Sequence, residues 1–197
     1  AQKSLEDILT KSGKSKKVGD GALVSVDNHS GAIVALVGGR DYSASKFNRA
    51  EQAKRQPGSS FKTFSYATAL EHGFTPGTIR IDQPTEIGNW APENYTRRYR
   101  GPMTIREALK LSINTIAAQV TAEVGPSQVA ALAQRFGIKS ELRPEYSLAL
   151  GSSEVTLLEM THAYSVFANE GLLRPTHLIT EIRNTSGAPL YNRRTVA

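Results

Sequence analysis

The chain has 197 residues, 39% of them hydrophobic and 21% charged, and no cysteine. That suits a globular domain with a substantial core and excludes thiol nucleophiles, zinc ribbons and disulfide staples. The formal charge of +6 favours an anionic neighbour, but lysines crowd the first seventeen residues and the arginines then scatter without building a stacking platform, so no nucleic-acid partner is expected. No run approaches the ~18–20 apolar residues of a membrane span, and AQKSLEDILTKSGKSKK lacks the apolar stretch of a signal peptide. His29, His72, His162 and His177 show no ligand spacing, so neither a metal nor another cofactor is expected.

In chain order, Ser4 to Leu9 is a short amphipathic piece, and the basic KSGKSKKVGDG after it has no apolar period. Residues 1–20 therefore read as a linker and edge segment, with the folded portion over 21–197. Gly21 to Asp27 and Ala32 to Gly38 are β-rich runs around the turn cluster Asn28-His29-Ser30-Gly31, which predicts a hairpin. A helix is expected from Ser59 or Ser60, with Phe61, Phe64 and Leu70 on one face and Gly73 just past its end. Phe74 to Pro102, rich in proline, glycine and asparagine, reads as a long, largely irregular excursion. Thr104 and Thr156 each open a capping box, giving helices that end at Ser112 and near Asn169; between them lie runs from Thr115 to Val124 and, capped by Ser127, to Phe136. His177 to Arg183 and Pro189 to Tyr191 read as a second hairpin. This order predicts an α+β fold, a helical block packed on an antiparallel sheet.

Two strings carry chemistry. Ser59-Ser60-Phe61-Lys62 places a lysine three residues after a serine at a helix start, so both project from one face, whereas Ser60 is out of phase. A serine hydroxyl needs a base, and a lysine serves once burial depresses its pKa. Alone, the string equally describes a helix cap beside a surface lysine. Ser112-Ile113-Asn114 falls at a break between helical runs, where a hydroxyl can relay a proton and a carboxamide can bind a substrate amide; it too reads alone as helix capping.

In this order and about fifty residues apart, the two match the S-x-x-K and S-x-N elements of penicillin-recognising serine enzymes. The strings GAIVALVGGRDY, FNRAEQAKRQPGSSFKTF, WAPENY, Thr104 to Asn114 and LALGSSEVTLLEMTHAYSVFANEG extend the match, and residues 20–191 closely resemble the transpeptidase domain of class A (bifunctional) penicillin-binding proteins. Thr63 stands where that family commonly has proline. The resemblance implies a penicillin-binding-protein/β-lactamase-like fold and a D,D-transpeptidase in the bacterial envelope, on the outer face of the cytoplasmic membrane. Ser59 would attack the penultimate D-alanine carbonyl of a peptidoglycan stem peptide and be acylated by β-lactams. Lys62 would be its base, Ser112 would pass a proton to the leaving group, Asn114 would hold the acyl-side amide, and the Ser59 N–H would be one oxyanion donor. Other readings on the same fold are a serine β-lactamase or D,D-carboxypeptidase, in which water resolves the acyl-enzyme, and a catalytically silent cell-wall-binding module. Trp90, Asn94 and Tyr95 either line the cleft or anchor the long loop.

The family's third element, a Lys-Thr-Gly or Lys-Ser-Gly strand after the other two, does not follow Asn114 here. Lys11-Ser12-Gly13 precedes both motifs and lacks a strand pattern, so it reads as coincidence. The expected fold is accordingly incomplete at its C-terminus, with the rest of the domain completing the site and an N-terminal anchor supplying the membrane attachment. On that expectation the segment alone binds penicillins poorly.

Overall fold

A computed structural model describes residues 1–193. In chain order it comprises helix α1 (Gln2–Ile8), a π-turn (Leu9–Gly13), α2 (Lys14–Lys16), strands β1 (Leu23–Val26) and β2 (Ile33–Val37), a 3₁₀ turn (Gly58–Phe61) and helix α3 (Lys62–Glu71). Then come β3 (Ile79–Asp82), β4 (Gly101–Thr104), α4 (Ile105–Lys110), α5 (Asn114–Val124), α6 (Pro126–Arg135), a second 3₁₀ turn (Tyr146–Leu150), α7 (Leu157–Ala168), β5 (Glu181–Arg183) and β6 (Pro189–Asn192). The α+β class holds, but the strands pair two by two in three antiparallel ladders, β1–β2, β3–β4 and β5–β6, rather than in one sheet. Among the described residues no helix is long and apolar enough to cross a membrane.

The chain divides into two compact units, one of residues 1–54 with 156–197, the other of residues 55–155. In the first unit the predicted hairpin forms, with Leu23 opposite Val37 and a register shift at Ser25 and Val26, and α7 packs on β1. Thr156 accepts from the Glu159 N–H while the Glu159 carboxylate accepts from the Thr156 N–H, completing the expected capping box. The expected linker after Leu9 is instead helical as far as Lys16. Leu9 and Gly13, four residues apart, are both buried, and a Cβ on Gly13 would come within 2.7 Å of the Val18 carbonyl, so a residue that looks like a breaker permits the close packing that ends this helical stretch. Lys11-Ser12-Gly13 accordingly lies in a helix, as its missing strand pattern implied.

The second unit is the helical block. Ile116, Ala117, Ala118, Val120 and Thr121 of α5 are fully buried, and this helix is enclosed by α3, α6, β3 and the second 3₁₀ turn. Buried on nearly all sides, it is a core helix rather than an amphipathic one. Thr121 of α5 donates to Ser65 of α3 at 2.8 Å inside that contact. Two local expectations change here. The Phe74 to Pro102 excursion begins and ends in a β-ladder that pairs Ile79 with Thr104 and Asp82 with Gly101; the alternation Ile79-Arg80-Ile81-Asp82 carried that signal. Helix α6 starts at Pro126, with Gly125 rather than Ser127 at its N-cap, because proline's fixed φ and missing N–H suit the first helical position.

Backbone contacts also hold the segment leading to Ser59. Arg55 and Val155 exchange both backbone hydrogen bonds, at 2.9 and 3.0 Å, and the Gln56 side chain donates to the Ser152 carbonyl. Gly151, in the left-handed region at φ +70°, lies against Gly58 so closely that a Cβ there would sit 2.9 Å from the Gly58 Cα and nearer still to its N and O. Gly151→Ala should therefore destabilise the protein by about 2–4 kcal/mol, combining left-handed strain with overpacking, and should slow any chemistry at Ser59. Gly73→Ala, at φ +87° with open space around it, carries only the conformational part. Denaturant unfolding of the two variants separates the contributions, and equal losses would show that the Gly58 contact is not tight.

Candidate active site

Ser59 lies in the 3₁₀ turn, one residue after Gly58, whose φ is +59°. Its side chain is exposed, while its carbonyl accepts the Lys62 N–H that starts α3. Ser60 is differently occupied, its hydroxyl donating to the Pro57 carbonyl at 2.6 Å. The helical phase that favoured Ser59 over Ser60 thus has a structural counterpart: one hydroxyl is presented, the other ties down the turn.

Lys62, three residues on, is fully buried. Its neighbours along α3 explain how. Phe61 and Phe64 flank it, both fully buried, with ring centroids 4.9 Å apart, and Phe64 meets Phe136 edge-on at 6.0 Å. The amine receives three hydrogen-bond acceptors: the Ser112 carbonyl at 2.7 Å, the Ser112 hydroxyl at 3.0 Å and Asn114 Oδ1 at 2.6 Å. None is a carboxylate, so burial is not offset by an opposite charge, and it pulls the Lys62 pKa down from 10.5 to about 8.

Ser112 presents two oxygens to one amine because it adopts φ +55° between α4 and α5, a left-handed conformation uncommon outside glycine. The turn is closed on both sides, Ser112 N–H donating to the Leu109 carbonyl and Ile113 N–H to the Ala108 carbonyl. Asn114, the first residue of α5, gives its Oδ1 to Lys62 and donates from Nδ2 to the Glu93 carbonyl at 2.7 Å. These partners fix which end of the carboxamide faces the amine.

The protonation states of Lys62 have distinct geometries. Protonated, the amine donates to all three oxygens. Neutral, it keeps two N–H donors, enough for the two carbonyl-type acceptors, and its lone pair becomes free to accept from a hydroxyl. The arrangement can hold or release a proton at the Lys62 amine, with the Ser112 hydroxyl as the partner able to reverse its role. Lys62, Ser112 and Asn114 are thus brought into direct contact, and Ser59 stands one turn ahead of Lys62 on the same helical segment.

Of the residues left open in the long loop, Asn94 is buried and hydrogen-bonded to the start of α5, its Oδ1 accepting the Asn114 N–H at 2.9 Å. Tyr95 is fully exposed. Trp90 borders a concavity of about 680 Å³ with Asn89, Pro126, Pro144, Glu145 and Tyr146. Sequence reasoning did not single out Asp82, Thr115 or Gly151. The one available signal was Asp82 at the end of an alternating run; the others act through contacts between distant segments.

The chain is similar to known proteins along most of its length. A family profile described as penicillin binding protein transpeptidase domain matches residues 21–197. Penicillin-binding protein 1A of Rickettsia felis is 41% identical over 180 residues, 88% of this chain and 23% of that protein. The chain thus spans about a quarter of the length of such relatives. Among solved structures, penicillin-binding protein 1A of Haemophilus influenzae superposes with a TM-score of 0.84 at 42% identity, covering 88% of this chain and 27% of that one. PonA1 of Mycobacterium tuberculosis, determined in complex with penicillin V, gives 0.84 at 29% identity, covering 97% and 55%. A buried lysine bound to the serine and asparagine of a Ser-x-Asn turn, and a family match across nearly the whole chain, lead to one conclusion: this chain belongs to the penicillin-binding protein transpeptidase domain family.

Proposed function

We propose that the protein is a serine D,D-transpeptidase that cross-links peptidoglycan stem peptides on the outer face of the cytoplasmic membrane and is acylated at Ser59 by β-lactams. The observation that carries this reading is the convergence of Ser112 and Asn114 on the buried Lys62 amine. A surface lysine after a capping serine would have no reason to be fully buried against neutral acceptors.

In this mechanism Ser59 Oγ attacks the penultimate D-alanine carbonyl and its proton passes to neutral Lys62. The Ser59 N–H is one donor to the oxyanion, Asn114 binds the acyl-side amide, and Ser112 passes a proton to the departing D-alanine nitrogen. The amine of a second stem peptide then takes the acyl group, forming the cross-link. The relatives' names support penicillin binding in this family, and the uncharged surroundings of Lys62 support its use as a base near neutral pH.

The test is mass spectrometry of the intact protein after exposure to benzylpenicillin. A single penicilloyl adduct is expected on Ser59, lost in Ser59→Ala and retained in Ser60→Ala. An adduct that survives Ser59→Ala would overturn the assignment of the nucleophile.

The lowered Lys62 pKa sets a pH dependence. Because the base form is the neutral amine, acylation should rise about tenfold per pH unit below 8 and level off above it. Lys62→Arg, which cannot lose its proton in that range, should slow acylation by about 10²–10⁴-fold and remove this limb. Stopped-flow acylation from pH 6 to 10 measures both; a flat profile in the wild-type protein would exclude Lys62 as the base.

A further inference from the structure

Helix α5 begins without a cap of its own. Its N-cap residue is Ile113, whose side chain offers no acceptor, although the first N–H groups of a helix have no intrahelical partner. The acceptor comes from the long loop instead. Asn94 Oδ1 accepts the Asn114 N–H at 2.9 Å and reaches the Thr115 N–H at 3.4 Å. Asn94 is held in turn: its Nδ2 donates to Asp82 Oδ1 at 2.7 Å and to the Arg98 carbonyl at 3.0 Å. Asp82, only 1% exposed, also accepts the Thr115 hydroxyl at 2.6 Å and the Arg100 N–H at 2.9 Å. The neighbouring Glu93 carbonyl receives Asn114 Nδ2.

We propose that Asn94, locked by the buried Asp82 carboxylate, is a positioning residue that sets the Asn114 carboxamide against both Lys62 and the substrate's acyl-side amide. Asn114 is gripped at two points by residues 93 and 94, through its backbone N–H and its Nδ2, so the loop determines where its Oδ1 and its remaining amide hydrogen point. Asp82 fixes the opposite end of Asn94 and, through Thr115, the same first turn of α5. A cap from α5's own N-cap residue would satisfy the helix equally well but would leave Asn114 uncoupled from the loop. Here, loop conformation and substrate-amide recognition are one mechanical unit.

This inference rests on the transpeptidase reading, and one experiment separates their failures. In the intact protein, second-order acylation rates are measured for benzylpenicillin, which carries an acylamido group, and for 6-aminopenicillanic acid, which has a free amine there. Asn94→Ala should lower the benzylpenicillin rate about tenfold or more, in line with loss of one oriented hydrogen bond to a buried site, and the 6-aminopenicillanic acid rate about threefold or less. Thr115→Val, which leaves the Asn94–Asn114 bond in place, should lower the melting temperature without changing the ratio of the two rates. Where Asn94→Ala does not fold, Asn94→Ser is read by the same ratio. Equal losses with both compounds would overturn the positioning role and leave Asn94 as a stability residue alone. Failure of the wild-type protein to form a Ser59 adduct would overturn the transpeptidase reading and the inference with it.

Discussion

The site depends on enclosing one primary amine. Moving an ammonium out of water costs several kcal/mol unless its donors are satisfied, and Lys62 is buried with an oxygen for each of its three N–H positions. What those oxygens lack matters as much as where they sit. A carboxylate among them would stabilise the ammonium and hold the pKa high; two carbonyl-type oxygens and a hydroxyl satisfy the donors without supplying charge, and desolvation prevails. The buried carboxylate in the hydrogen-bond chain, Asp82, is separated from Lys62 by the Asn94 side chain and by Asn114, which donates its backbone N–H to Asn94 and accepts from Lys62 at its Oδ1. It can organise the acceptors without pairing with the amine.

Much of the second unit's backbone is spent on reaching this arrangement. A non-glycine residue in the left-handed region costs about 1–2 kcal/mol, and Ser112 takes that conformation at the one place where its carbonyl and hydroxyl must face the same atom. A glycine there would relieve the strain and remove the hydroxyl. Gly151 solves a different problem, the approach of two backbones: a Cβ there would collide with Gly58, whose own constraint is its φ of +59° rather than lack of space. The strain at Ser112 and the missing side chain at Gly151 both act on the segments that hold Lys62 and Ser59, as expected where packing around a site over-determines its geometry.

The four candidate site residues were readable because their relations are local. Three-residue spacing puts Ser59 and Lys62 on one helical segment, and the three-residue string Ser112-Ile113-Asn114 brackets the break before α5. Hairpin β1–β2 and the Thr156 capping box were equally local. The Asp82–Asn94–Asn114 chain was not, since its links span twelve and twenty residues and run through a loop whose asparagine looks like any loop asparagine. Strand β4 begins Gly-Pro, a poor strand signal, and forms because β3 provides a partner. The helical run to Lys16 was hidden by its lysines and by Gly13, whose value lies in what packs against it. In each case the missing information was the identity of a distant neighbour.

The second unit's two ends also bear on the site. Arg55 and Val155 pair directly, so residues 55–155 form a closed excursion whose entry and exit are joined by reciprocal hydrogen bonds. Ser59 follows that joint by four residues, and Gly151 precedes it by the same number on the returning strand of chain. Ser59 is therefore positioned by both ends of the unit at once, whereas Lys62 is positioned by its interior. A disturbance at the joint would act on Ser59 before it reached the Lys62 amine, whose partners lie at Ser112 and Asn114. Such a separation lets one fold tune the placement of the Ser59 hydroxyl and the proton affinity of Lys62 through different residues.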